Sequence, residues 1–144
     1  MKKMLDFLTN EFENVAVLGP ERQAAQVEIS LTDARVLGVD PPVRLSGDTD
    51  NTPGVVLEGN MGKEKQYKGG ICARRHIHMT PEDADRFGVS DKQVVSLQTY
   101  TRRPAVLKDV PVRVSPSFAT YVHLDYDEAN AIGFAPGDLG RIVV

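Results

Sequence analysis

Residues 77–89 read Ile-His-Met-Thr-Pro-Glu-Asp-Ala-Asp-Arg-Phe-Gly-Val, and the same template recurs as VEISLTDARVLGV over 27–39 and VHLDYDEANAIGF over 122–134. Counted from Glu28, His78 and His123, a small polar residue stands at +2 (Ser30, Thr80, Asp125) and an acid at +5 (Asp33, Asp83, Glu128). Alanine follows at +6 (Ala34, Ala84, Ala129) and glycine at +10 (Gly38, Gly88, Gly133). The +2 and +5 residues form a capping box, in which the first side chain accepts from the backbone of a new helix and the acid reaches back. Pro81 sits where its missing N–H costs nothing, and each +10 glycine supplies the left-handed conformation that ends a helix. Three helices of about two turns, roughly 12 Å each, are therefore expected.

Upstream of each cap lies an apolar stretch of strand type, in which alternate side chains share a face. The same-face pairs are Gln26 with Glu28, His76 with His78, and Tyr121 with His123. The repeat thus sets potential metal ligands at three equivalent strand ends. Further strands are expected over 14–18, 55–58, 94–99, 105–114 and 140–144. GPER, DPPVRLSGDTDNTPG and GNMGKEKQYKGG read as turn-rich connections. Residues 1–12 suit either a strand hairpin or a short helix. Many short strands at this spacing predict a mainly β fold of small barrels or sandwiches. The composition change across Gly59–Gly70 divides the chain into lobes of residues 1–64 and 65–144, the first carrying Glu28 and the second all three histidines.

Composition narrows the function classes. At 144 residues with 41% hydrophobic and 26% charged residues, the chain has globular proportions and can build a core. A net charge of −3 gives no electrostatic reason for a nucleic-acid partner, although the clusters Arg74–Arg75 and Arg102–Arg103 suit a small anion. The apolar run at the start is broken at Asp6, and no stretch approaches the roughly 20 apolar residues of a membrane span, so a cytoplasmic protein without a membrane partner is expected. One cysteine, Cys72, cannot form an internal disulfide. P-loop, GxSxG and dinucleotide fingerprints do not occur.

The His76-Ile77-His78 pair on one strand face suits chelation of one metal or bridging of two. Alone, such a pair is more often incidental. His123 and Glu28 at the same template position tip the balance toward a metal site, and nitrogen and carboxylate donors without thiolate favour zinc over cobalt, manganese or iron. Arg22, six residues before Glu28, and Arg113, in the alternating VPVRVSP, offer guanidinium groups suited to a bidentate grip on phosphate, though each also fits a solvated surface. Ser46 and Gly47 fit an anion-binding turn or an ordinary one. Cys72 fits the core better than a place beside His76.

GPERQAAQVEISLTDARVLG, RLSGDTDNTPG, RRHIHMTPEDADRFG, VRVSP and HLDYDEANA resemble the phosphotransacylases of bacterial microcompartments, the phosphate propanoyltransferases of propanediol utilisation. The resemblance runs from about Asn14 to the C-terminus. It implies two small β-barrels with short helices, a two-metal site that is usually zinc, and interconversion of acyl-CoA plus phosphate with acyl phosphate plus CoA. Position by position, it implies metal ligation by Glu28, His76, His78 and His123, catalytic phosphate contact by Arg22 and Arg113, and substrate contact by Ser46 and Asn130. It also implies a microcompartment as an alternative location. Family members begin with a further strand and helix carrying another HxH pair that has no counterpart among these 144 residues. The expectation is therefore an incomplete first lobe, completed in a homo-oligomer or by a complementing chain. The alternative is a catalytically incomplete module that binds metal and CoA or serves as an assembly subunit.

Overall fold

Each of the three template repeats builds the same local unit. In a computed structural model, which describes residues 2–5, 11–19 and 24–144, the helices are α1 (Leu31–Leu37), α2 (Pro81–Phe87) and α3 (Tyr126–Ile132). Ser30, Thr80 and Asp125 are the N-caps and accept from the backbone N–H of Asp33, Asp83 and Glu128. Gly38, Gly88 and Gly133 end the helices at φ of 71°, 66° and 63°, a left-handed geometry that costs glycine little. The residue after each glycine, Val39, Val89 or Phe134, donates back to the carbonyl of the template alanine at 3.0, 3.0 and 2.9 Å. These six-to-one bonds complete a Schellman ending. The reach-back half of the capping box is present in α3, where Glu128 accepts from the Asp125 N–H at 3.2 Å. Aspartate is one methylene shorter, and Asp83 instead accepts from the Thr120 hydroxyl.

The chain divides into two compact units, Met1–Arg74 and Arg75–Val144. In the first, β1 (Lys2–Leu5), β2 (Glu11–Val15), β5 (Val55–Gly59) and β6 (Gly62–Gln66) form an antiparallel sheet of order β2-β1-β5-β6. The start of the chain is thus a hairpin, with β1 antiparallel to β2. Pairing with β1 places the second strand at Glu11–Val15 rather than over 14–18, and Val17 and Leu18 lie exposed beyond it. The polar run read as a connection contains β6, which pairs with β5 along its whole length as the return arm of a tight hairpin. A parallel three-stranded sheet joins β3 (Val27–Glu28), β7 (Gly70–Ala73) and β4 (Val43–Arg44). Val27, Leu37 and Val55 form a buried cluster of this unit, with Phe12, Val15, Ile29, Val39 and Leu57 against them.

The second unit is one five-stranded sheet. Its strands β8 (His76–Met79), β9 (Val94–Tyr100), β10 (Val106–Val114), β11 (Tyr121–His123) and β12 (Leu139–Val143) take the order β11-β8-β10-β9-β12. The apolar stretch leading to the histidines is split, because Arg74 and Arg75 separate β7 from β8. Ile77, Met79, Val95, Leu97, Val110 and Val112 share a core with Ala84 and Val89. A bulge in β10 makes this possible. Leu107 faces Leu97 and Val110 faces Val95, so β10 spends one extra residue there, with Asp109 at φ 59°. The extra residue keeps Leu107 and Val110 on the core face and sends Arg113 to the opposite one. Among the described residues no helix is long and apolar enough to cross a membrane.

Candidate metal centre

Alternation along β8 gives Ile77 and Met79 to the core and turns His76 and His78 to the other face. β11 runs antiparallel beside it, with His123 opposite His76 and Tyr121 opposite His78. β10 runs parallel on the other side, with Arg113 level with His78. The three imidazoles consequently converge. His76 and His123 stack with ring centres 4.7 Å apart and planes 1° from parallel. His78 lies 4.7 Å from His76 and 4.3 Å from His123, tilted to both.

One ligand nitrogen from each ring falls within 4.8 Å of the others. Three imidazole nitrogens are a donor set that zinc sites use. The Nε2 of His78 is buried and has no hydrogen-bond partner among the described residues. A buried polar atom without a partner is costly, and a metal ion would relieve it. Burial, followed by the charges of His123, His76 and Arg113, lowers the His78 pKa from 6.5 to about 4. At neutral pH this ring is therefore neutral, the state that binds metal.

Phe118, at the turn that leads from β10 to β11, stacks on His78 with ring centres 3.9 Å apart and planes 13° from parallel. The Arg113 guanidinium lies 5.9 Å from the centre of the Phe118 ring. The segment is tied down at both ends, since the Ser115 N–H donates to the Met79 carbonyl and the Thr120 hydroxyl to the Asp83 carboxylate. Sequence reasoning missed Phe118, because a single aromatic residue in a turn has no periodicity to reveal which ring it covers. Asn130 lies on α3 with its side chain exposed.

In the first unit, Glu28 and Ser46 are drawn together by Gln26. Its amide nitrogen donates to the Glu28 carboxylate at 2.6 Å and to the Ser46 hydroxyl at 2.9 Å, and its oxygen accepts from the Gly47 N–H at 2.7 Å. Gln26 is the same-face partner of Glu28 expected from the strand period, and its link to the turn at Ser46 is new. Arg22 lies outside the described residues. Cys72 is buried, with 1% of its surface exposed.

A family model described as phosphate propanoyltransferase matches residues 5–135. The chain belongs to the phosphate propanoyltransferase family. Proteins named phosphate propanoyltransferase from Enterococcus faecalis and Thermotoga maritima are each 52% identical to it over 132 residues. One from Clostridioides difficile is 47% identical over 131 residues. These matches cover 92%, 91% and 91% of this chain and 63% of each relative. The chain thus spans about three-fifths of the length of these phosphate propanoyltransferases, and its histidine cluster lies within the matched region.

Proposed function

We propose that the chain carries part of the machinery of a phosphotransacylase, which interconverts acyl-CoA and phosphate with acyl phosphate and CoA. In this reading His76, His78 and His123 hold a divalent metal. The observation that carries it is the convergence of the three imidazoles in a member of the phosphate propanoyltransferase family. Glu28 enters as a carboxylate ligand on its template position and on the family resemblance. Zinc, with another divalent transition metal as the alternative, suits this nitrogen and carboxylate donor set. When bound, such an ion supplies Lewis-acid polarisation of the acyl carbonyl and stabilisation of a thiolate.

The protein's own groups supply orientation. Arg113, level with His78, presents paired N–H donors matched to phosphate. Arg22 is assigned the same role, and Ser46 and Asn130 are assigned to substrate contact. A phosphate oxygen held in this way attacks the thioester carbonyl. The new C–O bond forms, the C–S bond breaks, and the sulfur leaves as CoA thiolate, which is protonated from solvent. Direct transfer needs no acyl-enzyme. Phe118 covers one face of His78 and keeps water from that side. The location implied is the cytoplasm or a bacterial microcompartment, and the implied assembly is a homo-oligomer or a pairing with a complementing chain.

The test is thiol release from propanoyl-CoA with phosphate and added zinc, alongside native mass. Phosphate-dependent release above background is expected, from the chain alone or with a complementing fragment. No release in either setting rejects the transacylase reading. Bound metal and CoA without turnover would instead establish the alternative, a binding or assembly module.

A further inference from the structure

Arg75 and Glu128 are 53 positions apart, yet they form a partly buried ion pair, with the Arg75 Nη1 2.5 Å from a Glu128 oxygen. Arg75 immediately precedes His76, and Glu128 stands in the first turn of α3, five residues after His123. The second Glu128 oxygen accepts from the Asp125 N–H, closing the helix cap. The Nε of Arg75 donates to the Lys108 carbonyl at 2.8 Å. Lys108 sits in the β10 bulge, where the extra residue opens the ladder and leaves a backbone group for other partners. A single guanidinium therefore joins β8, which carries His76 and His78, to β10, which carries Arg113, and to the helix that follows His123.

The geometry explains why such a tie matters. β11 has three residues and lies at the edge of the sheet, so few backbone bonds set the place of His123. His78 rests against Phe118 and lies in a four-residue strand between two neighbours. His123 is exposed, and a short edge strand frays first. A charge-assisted hydrogen bond is stronger and more directional than a neutral one, and Arg can serve two acceptors at fixed angles where Lys offers a point charge. Of the three template acids, Asp33, Asp83 and Glu128, the glutamate alone has the extra methylene that lets it close its cap and meet the arginine.

We infer that Arg75 and Glu128 are positioning residues of the histidine centre, their ion pair holding His123 stacked on His76 in the arrangement that accepts a metal ion. The inference rests on the reading of the three histidines as metal ligands, and two measurements keep the two ideas separable. The first follows nuclear Overhauser contacts between the His76 and His123 rings in the metal-free chain, using Glu128→Gln, which retains the cap acceptor, and Arg75→Met. Ring contacts should be present in the wild type and weakened in both variants, with the methyl shifts of Ile77 and Val112 retained. The second is zinc affinity by competition with a chromophoric chelator. Both variants should bind about 10- to 100-fold more weakly, the usual effect of losing a group that orients a ligand. The double variant should be no worse than the poorer single one, and Arg75→Lys should recover only part of the loss. Ring contacts unchanged in both single variants would overturn the positioning role whether or not metal binds, as would wild-type zinc affinity in both. A wild type that binds no zinc yet loses its ring contacts in the variants would sustain the positioning role and sink the metal reading.

Discussion

Replacing Gln26 by leucine removes a side chain that uses both amide donors and its acceptor while nearly keeping its size. The three bonds lost run to Glu28 at 2.6 Å, Ser46 at 2.9 Å and Gly47 at 2.7 Å. A neutral intramolecular hydrogen bond contributes about 0.5–1.5 kcal/mol net, and one to a charged group about 1.5–3. The site is partly exposed, so water replaces much of what is lost and the lower ends of these ranges apply. Two of the lost bonds are neutral and tie Gln26 to the turn at Ser46–Gly47, which the Asp48 N–H also closes onto the Leu45 carbonyl at 3.0 Å, so opening at Gly47 should become easier by about 1–2 kcal/mol. At 1.4 kcal/mol per tenfold, the Gly47 amide should exchange with solvent roughly tenfold faster. Hydrogen exchange followed by NMR reads this directly. The Cys72 amide, which donates to the Pro42 carbonyl at 3.0 Å in the same unit, is the internal reference. Phosphate KM should rise in the same variant if Ser46 and Glu28 act on substrate or metal. Gly47 exchange that stays at the wild-type rate relative to Cys72 would refute the reasoning, since the turn would then be held by something other than Gln26.

Three further outcomes are expected. His78→Ala should lower zinc content in elemental analysis, whereas a histidine of purely structural use would leave it unchanged. In the metal-free protein, His78 has its pKa lowered from 6.5 to about 4, so the unfolded chain takes up that proton first as pH falls. Its contribution is complete above about pH 6.5 and is lost between there and pH 4, a decline in urea midpoint that should be shallower in His78→Gln. Alanine at Gly88 meets open space but keeps a φ of 66°, which costs about 1–2 kcal/mol. Alanine at Gly133 places its Cβ 3.3 Å from the Cβ of Arg102 as well, so thermal melts should show the larger loss there.

The three helices were legible because every signal that makes them is local. Cap, acid, alanine and glycine lie within ten residues of one another, and their bonds are made inside that span. The strands β5, β9, β10 and β12 announced themselves by apolar alternation to within a residue or two. β6 did not, since Gly62–Gln66 is polar throughout and becomes a strand only because β5 lies beside it. The break at Arg74–Arg75 was likewise hidden in a stretch that read as continuous, and Arg75, which read as part of an anion-binding cluster, is spent on Glu128 and Lys108.

For the site, the amino-acid sequence by itself determined which side chains are available and which way they face. The strand period places His76 with His78 and Gln26 with Glu28, and the repeat ranks His123 and Glu28 as their equivalents. Only the tertiary structure decided that His123 stacks on His76, that Phe118 covers His78, that Arg113 stands level with His78, and that Arg75 reaches Glu128. Each of those contacts depends on strand register, on the one-residue bulge in β10, or on a meeting of groups far apart along the chain. Such meetings are set by how the core of Ile77, Leu97, Val110 and Val112 closes, which no local pattern encodes.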